Sequence, residues 1–181
     1  MNELLKLPTD LTSSRGMTAI LTTSRARGGI TELIARLILQ GPLFVVAGSE
    51  WLPAFELTRI VRKNTLKVKQ TLNRLQTART STCYRLFDSL ANLQPNGEHV
   101  LVLDFLHTFY DNDIPLPVRF LKLRQCCQEL KRLAFYRPVV VLTQGNPVED
   151  CEDFFPILCS VADKTFTLET ESEPFQQPVL F

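Results

Sequence analysis

The chain has 181 residues, 45% hydrophobic and 22% charged, with a formal net charge of +1. That balance fits one globular domain with a real core, excludes a disordered chain, and selects no partner class by bulk charge. No apolar run approaches the roughly 20 residues that span a bilayer. Residues 1–10 lack a continuous apolar stretch and a cleavage site, so the expectation is an intracellular protein without membrane contact.

Residues 17–22 form a short β-prone run, followed by loop chemistry in Ser24-Arg25-Ala26-Arg27-Gly28-Gly29. Helical spacing covers residues 31–40 and stops at Gly41-Pro42. Residues 43–47 are continuously apolar, as a buried parallel strand should be. The pattern predicts helices over about residues 54–63 and 77–93, the second with Ala78, Tyr84, Leu86, Phe87, Leu90 and Leu93 on its apolar side. Gln94-Pro95-Asn96-Gly97 is a turn.

Residues 99–104 make the clearest strand, apolar until Asp104. After the loop Asp111-Asn112-Asp113-Ile114-Pro115, a long helix is predicted over about residues 117–135. Its inward positions are Phe120, Leu121, Leu123, Leu130, Leu133 and Ala134. Residues 138–143 read as another buried strand, and the alternation over 164–169 as a final edge strand. Strands alternating with helices imply an α/β domain, a mostly parallel sheet covered on both faces. Its ligand crevice lies at the carboxyl ends of the strands.

The five cysteines form no Cys-x-x-Cys pair and do not join His99 or His107 at zinc spacing. They read as small buried hydrophobes, with Cys126 and Cys127 on different faces of the long helix. Ser49 lacks a nucleophile-elbow pattern, and His107 alone stands where a general base could act.

The loops after Thr22, Ala47, Asp104 and Thr143 are those a RecA-type ATPase core uses, and residues 17–170 resemble such a core in the order of their parts. The strand ending in Asp104 resembles a Walker B strand. Glu50 lies about one position from where the family's catalytic glutamate is expected, and Gln144 ends a strand like the one carrying an Asn/Gln sensor. Residues 75–86 resemble an Ala-Arg-rich helix start, and Ala162-Asp163 the entry to the last core strand. The resemblance implies a three-layer RecA-like domain over 17–170, an N-terminal extension over 1–16 and a tail over 171–181.

The phosphate loop departs from Gly-x-x-x-x-Gly-Lys-Ser/Thr. Thr23 replaces the first Gly, Gly29 the Lys and Ile30 the hydroxyl residue, while Gly28 survives. Such a loop lacks the cation for the γ-phosphate and the Mg²⁺ ligand, both central to phosphoryl transfer. Phosphate binding through Arg25, Arg27, Gly28 and Gly29 stays open, with ATP and Mg²⁺ then as cofactors. The leading expectation is a paralogue without catalysis or cofactor. It would act through a protein partner, another RecA-like subunit or its own copy, as an accessory factor in DNA recombination or repair. An ATPase with an atypical loop is one alternative, with Glu50, Asp104 and Gln144 as its weak catalytic candidates, and a DNA-binding module using the basic 59–85 segment is another.

Charge is uneven. Residues 59–85 hold eight cations and no acid, and Arg62, Lys63, Lys67, Lys69 and Arg74 are the candidates for contact with DNA. From residue 144 onward eight acids face one lysine, a net of −7. Acids in the loops after the Asp104 and Thr143 strands disfavour DNA there. The tail Gln176-Gln177-Pro178-Val179-Leu180-Phe181 resembles a short clamp-docking peptide, against the plainer reading of a segment packed on the core.

Overall fold

The computed structural model describes residues 15–22, 27–48, 54–94, 98–144 and 151–168, with the side chains of 27, 28 and 168 left aside. The elements are β1 (Gly16–Thr22), α1 (Arg27–Gln40), β2 (Leu43–Ala47), α2 (Ala54–Asn64), α3 (Val68–Leu72), β3 (Leu75–Arg79) and α4 (Cys83–Ala91). There follow β4 (His99–Leu103), a 3-10 helix (Phe105–Phe109), α5 (Leu116–Tyr136), β5 (Pro138–Gln144), α6 (Phe154–Val161) and β6 (Lys164–Leu168). The strands form one six-stranded sheet in the order β3-β2-β4-β5-β1-β6, and every pairing is parallel.

That order follows from handedness. A β-strand, crossover, parallel β-strand unit is almost always right-handed. The chain moves one way across the sheet from β1 to β2 to β3, then the other way through β4, β5 and β6. Reversing direction with the same hand moves the connecting helices to the opposite face. Accordingly Ile34, Ile38, Leu57 and Val61 of α1 and α2 pack on Ile20, Val45, Leu101 and Val140. Leu86, Leu90, Leu123, Leu130 and Leu158 of α4, α5 and α6 pack on Ala19, Val46, Val102 and Val141. Neighbouring strand residues alternate between the two clusters, as side chains with a period of two must. The three-layer α/β fold is the one read from the sequence, compatible with a RecA-like core without being specific to it.

Several expectations need correction. Residues 77–79 are not helical. They belong to β3, whose ladder on β2 pairs Thr77 with Val45 and Arg79 with Ala47. Cross-strand pairing overrides a weak local preference here. The helix that follows starts at Cys83, where the Thr82 hydroxyl accepts from the Arg85 N–H at 3.3 Å. Tyr84, expected inward, is exposed.

Helix α1 begins at Arg27, running through Gly28-Gly29 because Ile30, Leu33 and Ile34 anchor it to the sheet. On α5, Leu121 is 55% exposed, whereas Arg119 is buried. Cys126 and Cys127 both face the core rather than different faces. Neighbours on a helix sit ~100° apart, within the arc that a broad buried face covers.

Asp163, in the Ala-Asp entry to β6, fastens that strand to β1. Its N–H donates to the Met17 carbonyl at 2.8 Å, and its carboxylate accepts the Met17 N–H at 2.7 Å and the Lys131 ammonium at 2.5 Å. The start of β1 reaches this contact through Gly16, whose φ of +136° suits glycine.

Candidate functional site

In a parallel sheet a ligand crevice opens where adjacent strands send their chains to opposite faces. Inside the sheet such places fall between β2 and β4 and between β1 and β5; at the edge pair, β3 and β2 also send their chains to opposite faces, to α4 and α2.

The first is closed. The Gly48 N–H donates to the Leu103 carbonyl at 2.9 Å, and Thr80 bridges to the Ala47 carbonyl through its N–H (2.9 Å) and hydroxyl (3.3 Å). A Cβ on Gly48 would lie 2.6 Å from the Asp104 carbonyl oxygen, so that approach requires glycine. Asp104 itself leaves β4 in the left-handed region, with φ 52° and ψ 40°, which acidic side chains tolerate better than most. The backward bend lets its carbonyl accept the His107 N–H at 3.0 Å and starts the 3-10 helix. Phe105, Leu106, Thr108 and Phe109 of that helix are buried, and His107 is exposed.

The second place brings three strand ends side by side: Thr22 of β1, Gln144 of β5 in register with it, and Asp104 beyond β4 on the far side of β5. Thr143 ties them together. Its carbonyl accepts the Thr22 hydroxyl at 3.4 Å, and its own buried hydroxyl accepts the Leu106 N–H at 3.3 Å. Gln144 is half-buried at this rim. The fold thus gathers Asp104, Gln144 and the start of α1 at one end of the sheet. Arg25 and Glu50 lie outside the described residues, and Arg27 and Gly28 are placed only as backbone in the first turn of α1. Gly29 and Ile30 are buried there, Ile30 within the cluster beneath α1.

Behind this rim, Arg119 holds the loops after β4 and β5 together. It is 7% exposed, and its Nη1 donates to the Phe109 carbonyl (3.4 Å), Asn112 Oδ1 (3.4 Å) and Cys151 Sγ (3.5 Å). Asp111 turns its own loop, its Oδ1 accepting the Asp113 N–H at 3.0 Å. Sequence reasoning missed Arg119 and the two threonines. An isolated Arg on a helix reads as surface, and Thr at a strand end reads as β propensity.

The basic segment does not form one surface. Arg74 precedes β3 at the amino end of the sheet, where its carbonyl accepts the Leu43 N–H at 3.0 Å and its Nη1 donates to the Ile38 carbonyl at 3.5 Å. It supports the last turn of α1 rather than standing free in solvent. Lys67 and Lys69, exposed, lie beside it in and before α3, and Arg79 and Arg85 sit at the carboxyl end. Arg62 and Lys63 are exposed on α2 together with Arg59, which pairs loosely with Glu56 at 3.7 Å. The α2 face also carries Phe55, 86% exposed, and a depression of about 370 Å³ lined by Phe55, Thr58, Arg59, Arg62 and Lys63.

All five cysteines are free thiols. Burial raises the Cys126 thiol and pushes that of Cys127 up to about 12. Among the described residues no group of three or more His, Cys, Asp or Glu side chains could hold a metal ion. Among them, too, no helix is long and apolar enough to cross a membrane. No protein-family model and no curated protein matches the chain.

Proposed function

We propose that this chain is a RecA-like paralogue that works as a binding subunit, without turning over nucleotide, and serves as an accessory factor in DNA recombination or repair. One observation carries the reading. At the β1–β5 strand ends α1 opens with Arg27-Gly28-Gly29-Ile30, so that Gly29 and Ile30 stand where a RecA-type loop carries its Lys and Ser/Thr, and Ile30 is packed into the core. A γ-phosphate at that helix start would find backbone N–H groups, which attract anions. It would find neither the ammonium nor the hydroxyl on which phosphoryl transfer and Mg²⁺ binding depend.

The retained scaffold then serves association. Phe55, Leu66, Leu121 and Phe135 are more than half exposed. The expected partner is another RecA-like subunit or a second copy.

Thermal unfolding with increasing ATP and Mg²⁺ tests the reading. A ligand that binds only the folded state raises the midpoint once it exceeds its Kd, adding about 2.7 kcal/mol at one hundred times that concentration. The expected result is an unchanged midpoint at millimolar nucleotide. A saturable rise, lost in Asp104→Ala, would overturn the proposal and favour an ATPase with an atypical loop.

A further inference from the structure

The exposed side of α2 combines an aromatic ring and a row of cations. Leu57 and Val61 are buried against the sheet, which turns Phe55, Arg59, Arg62 and Lys63 outward. Positions 55, 59 and 62/63 follow helical spacing, so they form one ridge with a step of about one turn, 5.4 Å. Glu56 is the sole acid on the helix, and its loose contact with Arg59 is exposed on both sides (61% and 46%). Screening leaves such a pair little hold on its cation. No described acid pairs with Arg62 or Lys63. Lys67 and Lys69 extend the positive charge beyond the helix.

We infer that this ridge binds single-stranded DNA, with Phe55 stacking on a base and Arg59, Arg62 and Lys63 holding successive phosphates. The inference stands apart from the nucleotide reading, because it rests on exposed side chains of α2 and not on the β1–β5 strand ends. Two features favour a strand over an acidic protein. A base offers a flat face to an aromatic ring that is 86% exposed among the described residues, and stacking is tolerant of sequence. A phosphate chain supplies evenly spaced charges to a row of cations at helical steps. The ridge reads backbone and base face alone. Thr58, its one hydroxyl, donates to the Ala54 carbonyl at 2.8 Å.

The probe is a fluorescent oligothymidylate of twenty nucleotides, titrated with the full chain by anisotropy at several salt concentrations. Three phosphate contacts predict that log K falls with log salt at a slope of about −2. Arg62→Glu should weaken binding and flatten that slope, whereas Arg124→Glu, the same charge change on exposed α5, should do neither. Phe55→Ala leaves charge alone and should weaken binding roughly 5- to 150-fold, the range for one lost base stack. Unchanged melting midpoints will show that the variants fold, since all three side chains are exposed. The inference is overturned by absence of binding at low salt, by equal losses in Arg62→Glu and Arg124→Glu, or by binding indifferent to Phe55→Ala. It is likewise overturned if the ridge variants spare the oligonucleotide and lose only binding to polyglutamate, which would make the ridge a dock for acidic protein.

Discussion

Replacing Asp163 by alanine removes two accepted hydrogen bonds at once, from the Met17 N–H (2.7 Å) and from the Lys131 ammonium (2.5 Å). A hydrogen bond to a charged group contributes about 1.5–3 kcal/mol when sheltered. Here the Lys131 contact is about half exposed, with side-chain exposures of 51% and 46%, so solvent reduces it to the few tenths typical of surface pairs. The Met17 contact is partly buried and keeps more of its strength. Together they predict a loss of about 1–2 kcal/mol, which for a chain of this size lowers Tm by roughly 2–8 °C. Asp163→Asn should fall between, since an amide oxygen can still accept from Met17.

The pH dependence has a definite sign. The Lys131 ammonium, then the Met17 N–H, hold the Asp163 carboxyl below its ordinary value. Its stabilisation is therefore complete above the unfolded value of about 3.9 and disappears as pH falls through the depressed folded value. Thermal melts of the wild type and Asp163→Ala should differ fully at pH 7 and converge in strong acid. A variant with an unchanged Tm at pH 7, or a difference that widens on acidification, would refute this account of how β6 is fastened.

Gly48→Ala should destabilise by about 1–3 kcal/mol, read as a lower urea midpoint, because the new methyl would meet the Asp104 carbonyl oxygen at 2.6 Å and Thr108 Cγ2 at 3.1 Å. An unchanged midpoint would mean that the β2–β4 end can open at no cost. Cys126 and Cys127, buried and with raised pKa values, should resist a disulfide reagent at pH 8 until urea unfolds the chain, while half-buried Cys159 should label ahead of them. Mass spectrometry of the labelled peptides would check the order.

What the sequence makes legible is what burial makes monotonous. The runs at 43–47 and 138–142 are apolar throughout because β2 and β5 are covered on both faces. Strand β3 hides for the opposite reason. It lies at the sheet edge with Gln76, Thr77 and Arg79 exposed, and only its ladder on β2 makes it a strand. The Gly28-Gly29 pair conceals the first turn of α1, since glycine disfavours helix and the packing of Ile30 decides otherwise.

The candidate site was legible as a set of strand ends, which placed Asp104 and Gln144 correctly at one end of the sheet. The positive φ of Asp104 was not, because it depends on the bend into a 3-10 helix whose aromatic residues are buried. Nor could a run of eight cations reveal that Arg74 supports the carbonyl end of α1 while Arg62 and Lys63 stand on a different element.

The two reversal points inside the sheet differ in physical character. Between β2 and β4 the backbone of Gly48 approaches that of Asp104 and its N–H bonds to the Leu103 carbonyl, so the ends stay joined. Between β1 and β5 the ladder runs to the strand ends, Thr22 in register with Gln144, and the Thr22 hydroxyl adds a bond to the Thr143 carbonyl at 3.4 Å. There α1 opens with Arg27-Gly28-Gly29-Ile30, with Ile30 packed into the core, while Arg62, Lys63 and Phe55 stand exposed on α2.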